Sequence, residues 1–566
     1  MKKLFLLLFF FATIKIISAQ SLTKQTNQAL QDINRLGEVY FSFQLDDLSK
    51  LSTLTHKISI SKITGNTIYA FANQKEFSGF SNLKLNFTVH TAPSELFAVQ
   101  MTNNPRQILT WNYYPTYTAY ETLMQQFAAD HLEICRLITI ATLASGRKIL
   151  ALRISDNVYT EENEPEFLYS STIHGNETAG YILMIHLADS LLSGYGTSPR
   201  ITNLVNNFDI VICPLANPDA TYKGGNSTVN GATRYNSNNV DLNRNYPDPD
   251  VVYGQHPDGE AWQPETVAFM NFAMQNSFTM GANFHGGVEV VNYPWDTWPR
   301  LSADNAWWVY ISREYADTVH LHAPAEYMIY KNNGITNGYA WYFVHGGRQD
   351  YMNYFHHCRE TTIEISDEFI LPESQLIPYW NYNYRSFLNH IEQAGYGLHG
   401  LITDSLSGEP LQAKIFISDF DKDSSFVYTD PQVGDYHRLL KGGSYNVTYS
   451  APGYLSKTIP VQVIDRKTTM LNVKLLKGSL SINPLATDPS DIKIYPNPVT
   501  GGRIVIESEY PIKSLVIKDV TGKTVHSSAP LTKKLTVDGN WPSGIYLFQL
   551  LVDEKWINKK IQVLSN

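Results

Sequence analysis

Cysteine is nearly absent from this chain: Cys135, Cys213 and Cys358 are the only three. They form no CxxC pair and are too few for a disulfide framework, so small buried residues are what they are expected to be. Clusters of Lys and Arg are missing as well. With 44 basic against 53 acidic residues the formal net charge is -9, which is mild for this length and gives no electrostatic footprint for nucleic acid. Long apolar runs are confined to the start, where Leu4 to Ala12 follows Lys2 and Lys3 and precedes Ile17-Ser18-Ala19. That run is interrupted by Lys15 and falls short of the roughly 20 apolar residues a membrane anchor needs. It reads as a secretory signal peptide over residues 1–19, and with no transmembrane segment expected after its removal, the mature protein is expected to be soluble. No long low-complexity tract is present, and 43% hydrophobic, 13% aromatic and 17% charged residues are the composition of folded protein. A single core stops growing at roughly 250–300 residues, so 566 residues imply several domains.

The hydrophobic patterning divides the rest. Residues 20–104 read as a small α+β unit: strand Glu38 to Phe43, helix Leu45 to Leu54, a strand pair from Ile58 to Phe71 turning at Gly65-Asn66, helix Lys75 to Phe80 and strand Leu83 to Val89. It is either an accessory domain or a prosegment. Over residues 110–395 strands alternate with helices, which predicts an α/β domain with helices covering a mixed central sheet. Short alternating strands with Gly, Pro and Asp turns then predict two small β-sandwiches, residues 397–476 and 491–566, joined by a polar linker at 477–490.

The polar residues that carry chemistry stand at strand ends. His174-Gly175-Asn176-Glu177 follows the apolar strand Phe167 to Ile173, and a His and a Glu three apart across such a turn can converge on one ion. Phe284-His285-Gly286-Gly287 follows another strand and supplies a third ligand; a His, Glu, His set leaves a tetrahedral position open, as a catalytic zinc requires. Asp241-Leu242-Asn243-Arg244, preceded by Arg234, brings two guanidinium groups suited to a carboxylate. Glu364 lies inside the β-branched strand Thr361 to Ile365, where a buried Glu is rare unless it is paired or functional.

Together, and in this order, these motifs resemble the M14 family of zinc carboxypeptidases, in particular its regulatory N/E-type branch, from about Tyr114 to Gly395. The resemblance implies one Zn2+ held by His174, Glu177 and His285, with Glu364 activating water and Arg234 polarising the scissile carbonyl. It implies that Asn243 and Arg244 grip the terminal carboxylate of a peptide or protein and that Tyr342 closes over it. Asp296 resembles the acid of the pocket for a departing Lys or Arg, and Gln349 with Asp350 matches a neighbouring family segment. Arg348 replaces the Met usual there, and if it turned inward it would partly neutralise Asp296. Residues 397–476 resemble the transthyretin-like sandwich of the same branch. Residues 491–566, with Tyr495-Pro496-Asn497-Pro498 and Val520-Thr521-Gly522-Lys523, resemble a type IX secretion sorting domain. This implies export by that machinery and release from, or attachment to, the outer surface of a Gram-negative bacterium. The alternatives are a zinc amidohydrolase or peptidoglycan stem-peptide carboxypeptidase of the same fold, or a surface protein that only binds.

Overall fold

Alternation of large apolar residues is the rule along the central strands, and it assigns the two faces of the main sheet. In the strand Asp209–Cys213, Ile210 and Ile212 face one apolar cluster while Val211 and Cys213 face another, as the period of two demands. The computed structural model describes residues 22–250, 258–478, 492–497, 499–500, 502–519, 523–539, 541–552 and 555–564. The expected signal peptide and most of the expected linker lie outside the described residues. The chain forms two compact units that divide between Lys477 and Gly478.

The first unit opens with a helix over residues 22–36. A four-stranded antiparallel sheet follows, built from β1 (Val39–Gln44), β2 (Ser59–Thr64), β3 (Thr67–Ala72) and β4 (Phe87–His90) in the order β2-β3-β1-β4. The helix α1 (Gln74–Ser81) is fixed by a capping box between Asn73 and Glu76. This module does not keep its core to itself: Phe41, Phe80 and Ile60 pack in one cluster with Val288, Val290 and Trp341 from far along the chain.

The main sheet has eight strands: β5 (Cys135–Thr142), β6 (Lys148–Ile154), β7 (Glu166–Ser171), β8 (Asp209–Cys213), β9 (Phe278–His285), β10 (Val288–Tyr293), β11 (Ile335–Asn337) and β12 (Arg359–Ser366), in the order β11-β10-β12-β9-β7-β8-β6-β5. The central four, β8, β7, β9 and β12, run parallel, and β6 and β10 join them antiparallel. Strands β7, β9 and β12 are buried along their whole length, as expected of parallel strands covered on both faces. Helices α2 (Ala179–Gly194), α3 (Asn305–His320) and α4 (Glu373–Gln393) contribute to the core on one face. The three cysteines are buried and unpaired.

Residues 397–475 form two four-stranded sheets around one apolar cluster that includes Leu398, Ile415, Tyr436 and Val447. In the second unit the long strand Arg503–Lys518 pairs with four others. Its ladder is interrupted around Pro511, as expected where Pro cannot donate. Because that strand is shared, this unit is one seven-stranded network around a single cluster and not two separate sheets. Among the described residues no helix is long and apolar enough to cross a membrane.

Candidate metal centre and active site

Strand β7 delivers its chain into a tight turn before α2. Thr172 takes a left-handed conformation at φ 63° and its hydroxyl donates to the Glu177 carbonyl at 3.0 Å. Gly175 has no room for a side chain, because a Cβ there would lie 2.5 Å from the backbone of Ala220 and Thr221. The turn thus places His174 and Glu177 on one ion-sized space. Strand β9 ends on His285, which pairs in register with Glu364 of β12. Ligands of open α/β sheets collect at such strand ends.

The ligand atoms converge. His174 Nδ1 lies 2.9 Å from Glu177 Oε1, His285 Nδ1 lies 2.9 Å from Glu177 Oε2, and the two Nδ1 atoms are 3.1 Å apart. Tetrahedral zinc with bonds of 2.0–2.1 Å needs donors about 3.3 Å apart, so the set fits. Two imidazole nitrogens turned face to face beside one carboxylate also call for a shared cation. Among the described residues this is a buried His and Glu trio able to hold a metal ion. Burial opposes ionisation of Glu177, yet His174 and His285 hold its carboxyl far below the usual range. Burial likewise lowers His285, to about 4. Sequence reasoning gave no role to the residues behind these ligands, although Asp241 opens one of its motifs. Asp241 Oδ1 lies 3.0 Å from His174 Nε2, and the Asn283 amide lies 2.8 Å from His285 Nε2. Asn283 was legible in principle, since it stands two residues before His285 on the same strand face.

Around the trio the other candidates gather on one cavity of about 30 Å³. Arg234 Nη1 donates to Glu177 at 3.0 Å and its Nε to Asp241 at 3.1 Å. Arg244 donates from Nη1 to the Asn243 carbonyl at 2.7 Å, while its Nε and Nη2 meet no protein acceptor. Glu364 Oε2 is likewise without a donor, and burial, together with the charge on Glu177, pushes its carboxyl well above the usual range. Asp296 accepts from Asn292 at 2.9 Å, and burial raises it to about 6. Its loop is pinned by Asp350, which accepts from the backbone N–H of Asp296 and Thr297 at 3.0 and 2.8 Å. Gly338 leaves the space that Asp296 occupies, because a Cβ there would come within 1.7 Å of Oδ1.

One expectation needs correction, and one condition is not met. Gln349 does not line the cavity; it is buried, and its Oε1 accepts from the Thr362 N–H at 2.7 Å. Arg348 does not turn toward Asp296 either. It pairs with Glu360 at 3.0 Å and stands over the Phe269 ring at 4.6 Å, so it is not paired with Asp296.

The cavity is closed by the N-terminal module. Ile60 and Ser61 form part of its wall, and Ser59 Oγ accepts from Arg234 Nε at 2.8 Å and donates to Asp241. Glu38 accepts from the backbone N–H of Arg234 and Tyr235 at 2.8 and 3.2 Å. Tyr342 reaches the Ile60 carbonyl at 3.4 Å. With His174, Glu177, Arg234, His285 and Glu364 no more than 9% exposed, the space has room for water but is too small for a peptide.

Comparison with known proteins agrees with this geometry. The family profile described as zinc carboxypeptidase matches residues 120–386, and that described as secretion system C-terminal sorting domain matches residues 493–564. Carboxypeptidase D of Mus musculus is 35% identical over 379 residues, which is 64% of this chain and 27% of that much longer protein. Carboxypeptidase M of Mus musculus is 33% identical over 60% of this chain and 79% of its own length. The carboxypeptidase N catalytic chain of Homo sapiens is 31% identical over 63% of this chain and 84% of its own.

Proposed function

We propose a function from one premise: the chain belongs to the zinc carboxypeptidase family, and within it this protein removes C-terminal Lys or Arg from peptides or proteins. The observation that carries the reading is the opening of the His174, Glu177 and His285 trio, Glu364, Arg234, the Asn243–Arg244 pair and Asp296 onto one cavity. Zinc, when held by the trio, supplies Lewis acidity and makes water a competent nucleophile near neutral pH. Glu364 takes the proton of the attacking water with its free Oε2. Arg234 donates to the carbonyl oxygen as it gains charge. Arg244 offers its unpartnered Nε and Nη2 to the terminal carboxylate and Asn243 fixes its register, which is what makes the cut exo. Asp296, buried and with no cation paired to it, favours a departing side chain that brings its own positive charge.

The closed cavity supports a prosegment role for residues 20–104, with inhibition lasting until the module leaves. The tail match supports export through the type IX secretion machinery to the cell exterior, as release or as surface attachment. The sandwich at 397–476 is read as transthyretin-like, with a structural role.

One experiment tests the central reading. A protease site is placed in the segment 91–100, and release of single residues from peptides ending in Arg, Lys, Phe, Ala or Asp is measured before and after cutting, with and without a chelator. Chelator-sensitive release of Arg and Lys that appears on cutting is the expected result. Release of Phe at the rate of Arg would remove the assignment of Asp296, and no release from zinc-loaded cut protein would remove the peptidase reading. Export of a reporter fused to residues 491–566 tests the sorting tail.

A further inference from the structure

His285 and Asn283 stand on the same face of β9, two residues apart and both buried. With the amide as placed, Asn283 Nδ2 faces His285 Nε2 at 2.8 Å and Oδ1 accepts from Ser170 Oγ of β7 at 3.1 Å, directly across the ladder, where Asn283 and Ser170 are register partners. The His285 ring is therefore held between two contacts. Its Nδ1 looks at Glu177 and His174, and its Nε2 looks at the Asn283 amide.

A neutral imidazole has one N–H and one lone pair. If Nδ1 gives its lone pair to a metal ion, Nε2 carries the proton and needs an acceptor. For His174 the acceptor is a carboxylate, Asp241, which can do nothing else. For His285 the partner is an amide, which can accept or donate depending on which end is turned toward the ring, and the positions of the heavy atoms do not distinguish the two ends. With Nδ2 toward the ring, Nε2 is the acceptor and the ring proton sits on Nδ1, pointing at Glu177. With Oδ1 toward the ring, Nε2–H donates, Nδ1 is free to bind, and Nδ2 donates to Ser170 Oγ, which has lone pairs to receive it.

We propose that Asn283, oriented by Ser170, is a positioning residue that selects the metal-binding tautomer of His285, presenting Oδ1 to Nε2–H when zinc is bound. The inference rests on the zinc reading above and adds to it a residue outside the ligand set. Outer partners of ligating histidines commonly set metal affinity by about 10–100-fold. A neutral amide does this without adding a further buried charge beside Glu177 and Asp241.

The test uses the full chain, stripped of metal, and reads the zinc dissociation constant by competition with a chromophoric chelator. Wild-type protein that fails to bind one zinc per chain would sink the zinc reading itself, before any variant is compared. Given wild-type binding, Asn283→Leu, which is close in shape but accepts nothing, should weaken zinc by about 10–100-fold. Asn283→Asp, which can only accept, should bind within a few-fold of wild type or more tightly. A purely structural role gives the opposite order, because an extra buried carboxylate disturbs packing at least as much as Leu does. Equal affinities for Leu and wild type, or Asp as weak as Leu, would overturn the proposal. If Asn283→Leu does not fold, Ser170→Ala decides: it should weaken zinc by a few-fold, and an unchanged constant there rejects the oriented amide. In zinc-loaded wild type, selective 15N-histidine labelling should show a protected His285 Nε2–H, and a proton on Nδ1 would contradict it.

Discussion

Glu364 holds one oxygen, Oε2, free of any protein donor inside a buried cavity. That is the state expected of a base waiting for a water and not of a structural carboxylate. Glu364→Gln keeps the shape and removes the basicity, so zinc should bind with unchanged stoichiometry while turnover falls by about 10²–10⁴-fold; measuring both on one preparation separates the two. Arg348 carries the opposite expectation. Its guanidinium and the Glu360 carboxylate are each no more than 1% exposed and lie 3.0 Å apart. Arg348→Met would leave Glu360 buried and unpaired, at a cost of about 3–5 kcal/mol. The denaturation midpoint of the catalytic unit should drop clearly, while the ratio of Arg to Phe release stays where wild type has it. A changed ratio would mean that Arg348 acts on the specificity pocket after all.

At the scale of elements, the strand that closes the site is β2. It is an edge strand of the module, and its register against β3 slips between Ile60 and Lys62. A bulge re-aims side chains, and here it lets Ser59, Ile60 and Ser61 all be buried in succession, Ile60 between the module core and the cavity wall, Ser59 on Arg234 and Ser61 on the cavity. Ser59→Trp overfills that contact at a cost of about 1–3 kcal/mol without touching the module core. Activity of the uncut protein should therefore rise about fivefold to a hundredfold, and an unchanged basal rate would show that docking does not limit access.

The strand pair 58–71 and its turn were legible in the sequence, because β-branched runs flanking Gly65-Asn66 leave few options. The helix over residues 22–36 was not. Its apolar residues are sparse, and only Ala29, Ile33 and Leu36 among them are fully buried. The His174, Glu177 and His285 trio was legible because both of its segments lie at a strand end with a small motif of their own. Gln349 was misplaced, and the direction of Arg348 was left open, because one sequence cannot say which face of a short helix, Arg348–Phe355, points at a cavity. The closure by β2 was illegible for a different reason: it is a contact between segments about 175 residues apart, set by packing and not by any local pattern.

For the molecule as a whole, the same closure is coupled to pH through two carboxyls that the module carries into the contact. Glu38 meets the backbone N–H groups of Arg234 and Tyr235, with Arg234 and Lys223 as its nearby charges. Glu76 accepts from the Tyr235 hydroxyl at 2.5 Å and lies near Asp241 and Arg244. Burial raises both, each from 4.5 to about 7. A carboxyl that is raised only while the module is docked makes the docked state bind more protons than the open one between those values. Its contribution is fully present below pH 4.5 and is lost as pH rises through about 7. At about 1.4 kcal/mol per unit, each group weakens docking by at most roughly 3 kcal/mol across that window. The module should therefore hold most tightly in mildly acidic solution and open most readily above neutrality. Cutting at a protease site in the segment 91–100, with the protease rate corrected on an unstructured peptide, should speed up between pH 5 and 8. Glu38→Gln and Glu76→Gln should each flatten that rise, because an amide has no proton to lose. A corrected rate that stays level in wild type, or that rises as steeply in the double variant, would place the control of docking elsewhere than in these two side chains.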